Sequence, residues 1–210
     1  RIRGKGPEGA FSGRLVAIFE RPQDLRMELL GMFGSTRWSA VTTDRGIQVL
    51  FPGPSQFVDE VDTPDIVGRL IGIRLSAEEI IAVLSGIGST VAPIVFDLGQ
   101  QLGSTRVLFA REKEIRIEID SNDQVSRLIM PSYRVSYPSP WKVRRRQVPD
   151  RIRLETDRLS VIIDVEAADV NVALDPEAFL MTIPKTAKRL IPADIDGEAV
   201  FVVNKTSNKH

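Results

Sequence analysis

Apolar positions along the chain recur mainly with a period of two. Between Ala10 and Phe19, one face of an extended segment collects Phe11, Leu15, Ala17 and Phe19, while Ser12 and Arg14 take the other. Leu25, Met27 and Leu29 alternate with Arg26 and Glu28, and Trp38 and Ala40 alternate with Arg37 and Ser39. Ile47, Val49 and Phe51 follow the turn Asp44-Arg45-Gly46. Farther along come Val107 and Phe109, then Ile115, Ile117 and Ile119 against Arg116 and Glu118, then Ile152 and Leu154 against Arg151 and Arg153. Leu159, Val161, Ile163 and Val165 close the series. Such alternation predicts strands with one dry and one wet face, which is antiparallel sheet behaviour. Turns such as Asp44-Arg45-Gly46 and Ser121-Asn122-Asp123 suit a meander of hairpins.

One interval changes period. Thr63-Pro64-Asp65 supplies a cap, a proline at the first helical position and an acid in the first turn, which predicts a helix over about 64–72. Ile66, Val67, Leu70 and Ile71 follow at helical spacing until Gly72. Ser76-Ala77-Glu78-Glu79 is a capping box, because serine and Glu79 can each satisfy an end-of-helix amide. It opens a second helix over about 77–86, with Ile80, Ile81 and Leu84 as its apolar face and Gly86 as its stop. A further helical turn is expected at Asp175-Pro176-Glu177. No repeat, low-complexity tract or linker interrupts the chain, so a single domain over 1–210 is expected. About ten strands with one apolar face need a cover that two short helices cannot give a wide sheet. The sheet either closes into a barrel around its own side chains or stays partly open around a cavity.

Composition narrows the chemistry. Of 210 residues none is cysteine, and the one histidine is His210, the last. Disulfide scaffolds, zinc fingers and thiol enzymes are excluded, as is any triad or metal site needing an internal imidazole. The 28 basic residues balance 28 acidic ones, and a neutral chain is unsuited to nucleic acid, whose binding rests on concentrated positive charge. No window approaches the ~18 to 20 apolar residues of a membrane span. The chain opens Arg1-Ile2-Arg3 rather than with methionine, so a secretory signal, or a signal with an anchoring cysteine, is expected upstream.

Several motifs are weighed against this background. Gly4-Lys5-Gly6-Pro7-Glu8-Gly9 matches G-x-G-x-x-G, yet an alternating strand follows it and Pro7 sits where an amide should donate, so it reads as a glycine-rich turn. The carboxylates Asp59, Glu60 and Asp62, Glu78 and Glu79, and Asp164, Glu166 and Asp169 lack a spacing that sets an acid/base pair or a twelve-residue calcium loop. Lys142 with Arg144, Arg145 and Arg146, near Tyr137 and Trp141, reads first as a solvated edge strand and second as a docking patch for a partner or headgroups. Asn204-Lys205-Thr206 fits a glycosylation acceptor and reads as coincidence in a polar tail. More informative is Leu29-Leu30-Gly31-Met32-Phe33-Gly34-Ser35-Thr36, where a turn between strands is apolar. Either the strand pair bends at glycine and tucks these residues inside, or Met32 and Phe33 project from the tip.

The order of segments resembles the outer-membrane lipoprotein receptor family LolB, within the superfamily that includes the periplasmic carrier LolA. The strand Gly13–Glu20 ends in Arg21-Pro22 and is followed by Asp24-Leu25-Arg26-Met27-Glu28-Leu29. Gly31-Met32-Phe33-Gly34-Ser35-Thr36 looks like the family's apolar loop, and Ile66–Gly72 with Ile80–Gly86 like its lid helices. Val148-Pro149-Asp150-Arg151-Ile152-Arg153-Leu154 is similar to a late strand of the family, and the matches span about 4–165. The segment 89–101 has no counterpart, and the tail from Val170, with Phe179 and Pro184, looks more like the carrier branch.

The resemblance implies an incomplete antiparallel β-barrel whose apolar cavity, under a lid of short helices, accepts the acyl chains of a lipoprotein. It implies a lipid-anchored protein on the periplasmic face of the bacterial outer membrane, or a periplasmic one if no anchor is present. It further implies cargo exchange with a LolA-like carrier, and Met32 and Phe33 as the membrane-contacting loop. The expected cavity wall is Leu15, Ala17, Phe19, Leu25, Met27, Leu29, Trp38, Val49 and Phe51, with Ile66, Leu70, Ile80 and Leu84 facing it from the lid. Such work is non-catalytic burial by a monomer, with no cofactor, metal or nucleic acid. The alternative keeps the fold but makes the protein a scaffold or envelope sensor that transfers no lipid.

Overall fold

The computed structural model describes residues 1–7, 9–20, 22–31, 33–61, 65–86, 97–102, 105–110, 115–121, 124–138 and 148–191. The strands in chain order are β1 (Ile2–Gly6), β2 (Gly9–Glu20), β3 (Asp24–Leu30), β4 (Thr36–Thr43), β5 (Gly46–Phe51), β6 (Gln56–Glu60), β7 (Asp97–Leu102), β8 (Thr105–Ala110), β9 (Ile115–Ile119), β10 (Val125–Ile129), β11 (Arg134–Ser136), β12 (Arg151–Glu155), β13 (Ser160–Asp164) and β14 (Lys188–Arg189). Helices α1 (Ile66–Leu70) and α2 (Ala77–Ser85) interrupt them, and a 3-10 turn, Pro176–Phe179, precedes β14. The protein is mainly β. Its chain forms two compact units, Ile2–Ile81 with the chain from Ala173, and Arg1 with Ala82–Val172.

In the first unit the strands lie in the order β14-β6-β5-β4-β3-β2-β1, antiparallel except for β14, which runs parallel to β6. In the second the order is β13-β12-β11-β10-β9-β8-β7, antiparallel throughout. Neither order closes on itself. The open alternative of the sequence reading is the one adopted. The glycine-rich turn at the start is a β-hairpin, Gly6 pairing with Gly9, so no helix follows it to receive a phosphate.

Each unit has a dry face, and the register shows why. Residues directly opposite on antiparallel strands point to the same side. In the second unit Ile117, Leu128, Val135, Leu154 and Val161 form one continuous row across β9 to β13, and all five are buried. Beside this core the Tyr137 hydroxyl donates to the Val83 carbonyl at 3.1 Å. That carbonyl lies in the last turn of α2, where it also accepts from the Gly86 amide at 3.3 Å. Burial pushes the Tyr137 phenol above its ordinary value. A group that holds its proton more tightly when folded stabilises fully below its unfolded pKa, about 10 for tyrosine, and loses that contribution as pH rises towards the folded value. Tyr137→Phe should therefore cost about 1 kcal/mol at neutral pH. In urea titrations it should also flatten the decline in stability above pH 10. An unchanged alkaline slope would show that Tyr137 does not cause it.

The helical interval follows its local signals. Ser76 Oγ accepts from the Glu79 amide at 3.2 Å, and Glu79 Oε2 accepts from the Ser76 amide at 2.8 Å, which completes the capping box. Gly72 and Gly86 end the two helical stretches with φ of 81° and 68°, in the left-handed region glycine favours. The first helix is shorter than expected. It runs over five residues with Asp65 as its cap residue, and Asp65 pairs with Arg69 one turn on instead of capping an amide. Thr63 and Pro64, on which the longer span rested, lie outside the described residues. The expected turn at Asp175 forms, its carboxylate accepting from the Glu177 amide at 2.9 Å.

The C-terminal part of the first unit runs along its sheet as a strap. Arg26 donates to the Ala178 and Leu180 carbonyls at 3.2 and 3.1 Å and pairs with Glu28. Since Arg26 alternates with the buried Leu25 and Met27, the 3-10 turn lies on the opposite side of β3 from the dry face. The strap then enters the sheet edge as β14, where Arg189 reaches the Asp59 carbonyl and the Glu60 carboxylate.

Candidate functional site

The expected cavity residues of the strands fall on one face of the first unit. Leu15, Leu29 and Trp38 make one cross-strand row, and Ala17, Met27, Ala40, Val49 and Val58 make the next. Phe19, Leu25, Thr42 and Ile47 make the third, which ends at Glu60. Phe51 shares the side of Val49 and Ile47 by alternation along β5. Within this face Leu25, Met27, Trp38, Val49 and Val58 are at most 1% exposed. Leu15, Phe19 and Phe51 are half-buried, and Ala17 is exposed. The last has a topological cause. The register of β1 covers only Gly9–Gly13 of β2, whereas β3 covers Arg14–Glu20, so Ala17 lies beyond the end of β1.

Of the expected lid residues, Ile66, Leu70 and Ile80 are buried and Leu84 is half-buried. Thr42, Ala40, Ile47 and Val58 complete the rows and were absent from the expected wall. Their parity with Trp38 and Val49 was the available signal, and the polar side chain of Thr42 gives it no apolar signal of its own.

The hairpin between β3 and β4 stands apart from this packed face. The Gly34 amide donates to the Gly31 carbonyl at 3.0 Å, and the Gly31 amide to the Ser35 carbonyl at 2.9 Å. These bonds close a turn that carries Phe33. Gly34 follows at φ 77°, with nothing within 4 Å of where a Cβ would stand. Phe33 is 94% exposed, the most exposed large apolar side chain among the described residues. Met32 lies outside the described residues. So do the basic run 141–147, Asp62 and the glycosylation-like tail. Among the described residues no three His, Cys, Asp or Glu gather as metal ligands. No helix among them is long and apolar enough to cross a membrane.

No family model matches the chain, and no curated protein sequence does so. Solved structures do. The chain shares its fold with a LolA superfamily protein. That protein is NE2245 from Nitrosomonas europaea, whose crystal structure superposes with a TM-score of 0.56 over 86% of this chain and 87% of the other, at 11% sequence identity. At that identity the likeness shows the fold alone.

Proposed function

We propose that this protein is a non-catalytic lipid-binding protein that takes lipoprotein acyl chains against the dry face of its first unit and delivers them to the outer membrane. One observation carries the reading: a phenylalanine 94% exposed at the tip of a hydrogen-bonded hairpin whose strands bear the dry face. Burying that ring in a bilayer or a partner yields ~1.5 to 3 kcal/mol, a gain that its exposed position leaves available to a membrane. The shared fold of a LolA superfamily protein supports the same reading.

The physics of cargo explains why no catalytic group is needed. Each acyl methylene is worth about 0.8 kcal/mol in transfer from water, so a chain cannot cross water bare at useful rates. It must pass from one dry site to another, and the small difference between them sets direction. Because Leu25, Met27, Trp38 and Val49 are almost wholly buried here, loading requires the segments that cover them to move away. The protein would receive cargo from a LolA-like carrier and sit on the periplasmic face of the outer membrane through an anchor upstream of Arg1.

The near-complete burial of Leu25, Met27, Trp38 and Val49 favours a second reading, a scaffold or envelope sensor of the same fold that transfers no lipid. Delivery separates the two. Protein loaded with a fluorescent triacylated lipopeptide should pass it to phospholipid liposomes faster than the free lipopeptide partitions. A rate no faster than spontaneous partitioning would favour the scaffold.

A further inference from the structure

Two polar atoms on the dry face of the first unit have no hydrogen-bond partner among the described residues: Trp38 Nε1 and Thr42 Oγ1. Both atoms are shut off from solvent, with Trp38 0% and Thr42 7% exposed overall. They are four residues apart on β4 and share its dry side, Trp38 opposite Leu29 and Thr42 opposite Leu25 and Ile47. An indole N–H and a hydroxyl left unpaired in an apolar interior are costly, and buried polar groups in folded proteins are overwhelmingly paired. At position 42 valine would fill nearly the same space without that penalty. A donor kept in such a place is accounted for by an acceptor that arrives from outside.

Charge on the face narrows what that acceptor is. The described rows contain no Lys or Arg, and their one carboxylate, Glu60, lies at the β6 end and is already paired with Arg189. A carboxylate ligand would enter without a counter-charge, whereas a neutral carbonyl needs only a donor. We infer that Trp38 and Thr42 are the polar contacts of the acyl site, donating to the neutral ester or amide carbonyls of acylated cargo, so that the face selects acyl esters and amides over plain alkyl chains. This rests on the acyl-burial reading above and adds which part of the cargo is read.

The test compares a pyrene-labelled long-chain methyl ester with the alkyl methyl ether of the same chain, titrated into the whole protein. The parent protein should bind the ester roughly tenfold more tightly. Thr42→Val, a near-isosteric change, should reduce that ratio towards one without weakening ether binding. Since its hydroxyl is unpaired, the same variant without ligand should melt no lower than the parent. Trp38→Phe should act likewise on the ratio. If that variant folds poorly, the Trp38 indole N–H resonance of the parent should move downfield with ester and stay in place with ether.

Equal binding of ester and ether by the parent would overturn this inference and leave acyl burial standing. A Thr42→Val protein that is destabilised without ligand would also overturn it, by giving the hydroxyl a structural role. Binding of neither probe would remove the acyl-burial reading itself, and this inference with it.

Discussion

A Phe33→Glu protein should load acyl chains as the parent does and fail to hand them to a bilayer. Phe33 is 94% exposed on a turn held by backbone hydrogen bonds, so its side chain contributes little to folding. Melting should therefore change by no more than about 0.5 kcal/mol in stability terms. Its effect at a membrane is different. Entry of the ring into the acyl boundary yields ~1.5 to 3 kcal/mol, and a glutamate there loses that gain and adds a desolvation cost. Liposome delivery should fall by roughly 10-fold to 100-fold, while Phe33→Leu keeps most of it. Normal delivery by the folded glutamate variant would remove the hairpin from the mechanism.

Gly68→Ala should strongly destabilise the first unit. Helix propensity alone favours alanine at an interior helical position by up to about 1 kcal/mol. Packing reverses the sign. A Cβ at Gly68 would stand 2.3 Å from the Ile73 carbonyl oxygen and the Leu75 amide nitrogen, and 2.5 Å from the Leu75 carbonyl oxygen. These are backbone atoms of the turn that folds back over α1, and the Gly68 carbonyl itself accepts from the Ile71 and Ile73 amides. No side chain can swing aside to make room. The turn must lift, with the buried Ile73 and Leu75 moving with it, at a cost of about 3 kcal/mol or more. Gly53→Ala is the control, since nothing lies within 4 Å of its added carbon. Chemical denaturation of both variants checks the contrast, and near-equal stabilities would contradict it.

Much of the first unit was legible because its signals are local. Alternation along β2 to β5 depends on which face is dry, and cross-strand register then assembled Leu15, Met27, Trp38 and Val49 on one side. The capping box at Ser76 and the stops at Gly72 and Gly86 are likewise fixed by a few neighbouring residues. What escaped depends on distant chain. The strand β14 is two residues, Lys188-Arg189, whose sequence carries no strand signal; it exists because β6 offers an edge to pair with. The strap before it is held by Arg26, 152 residues away from Ala178 in sequence, and no pattern near either residue announces that bond. The two compact units each draw on chain from separated places, which is why no change of composition marks a boundary. Phe33 was open to two readings because glycines allow both a tucked and a projecting turn, and the hydrogen bonds of Gly31 and Gly34 accompany the projecting one. For Thr42 only its parity with Trp38 pointed to the dry face, and Leu25 and Ile47 standing opposite it place it there.

On the function proposed above, the dry face of the first unit is a site for acyl chains and more than a structural core. Equilibrium titration with a fluorescent acyl ester tests this directly. Saturable binding at one site per chain, reversed by long-chain lipid, is expected. Absence of saturable binding by the well-folded parent would contradict it and leave the protein a scaffold.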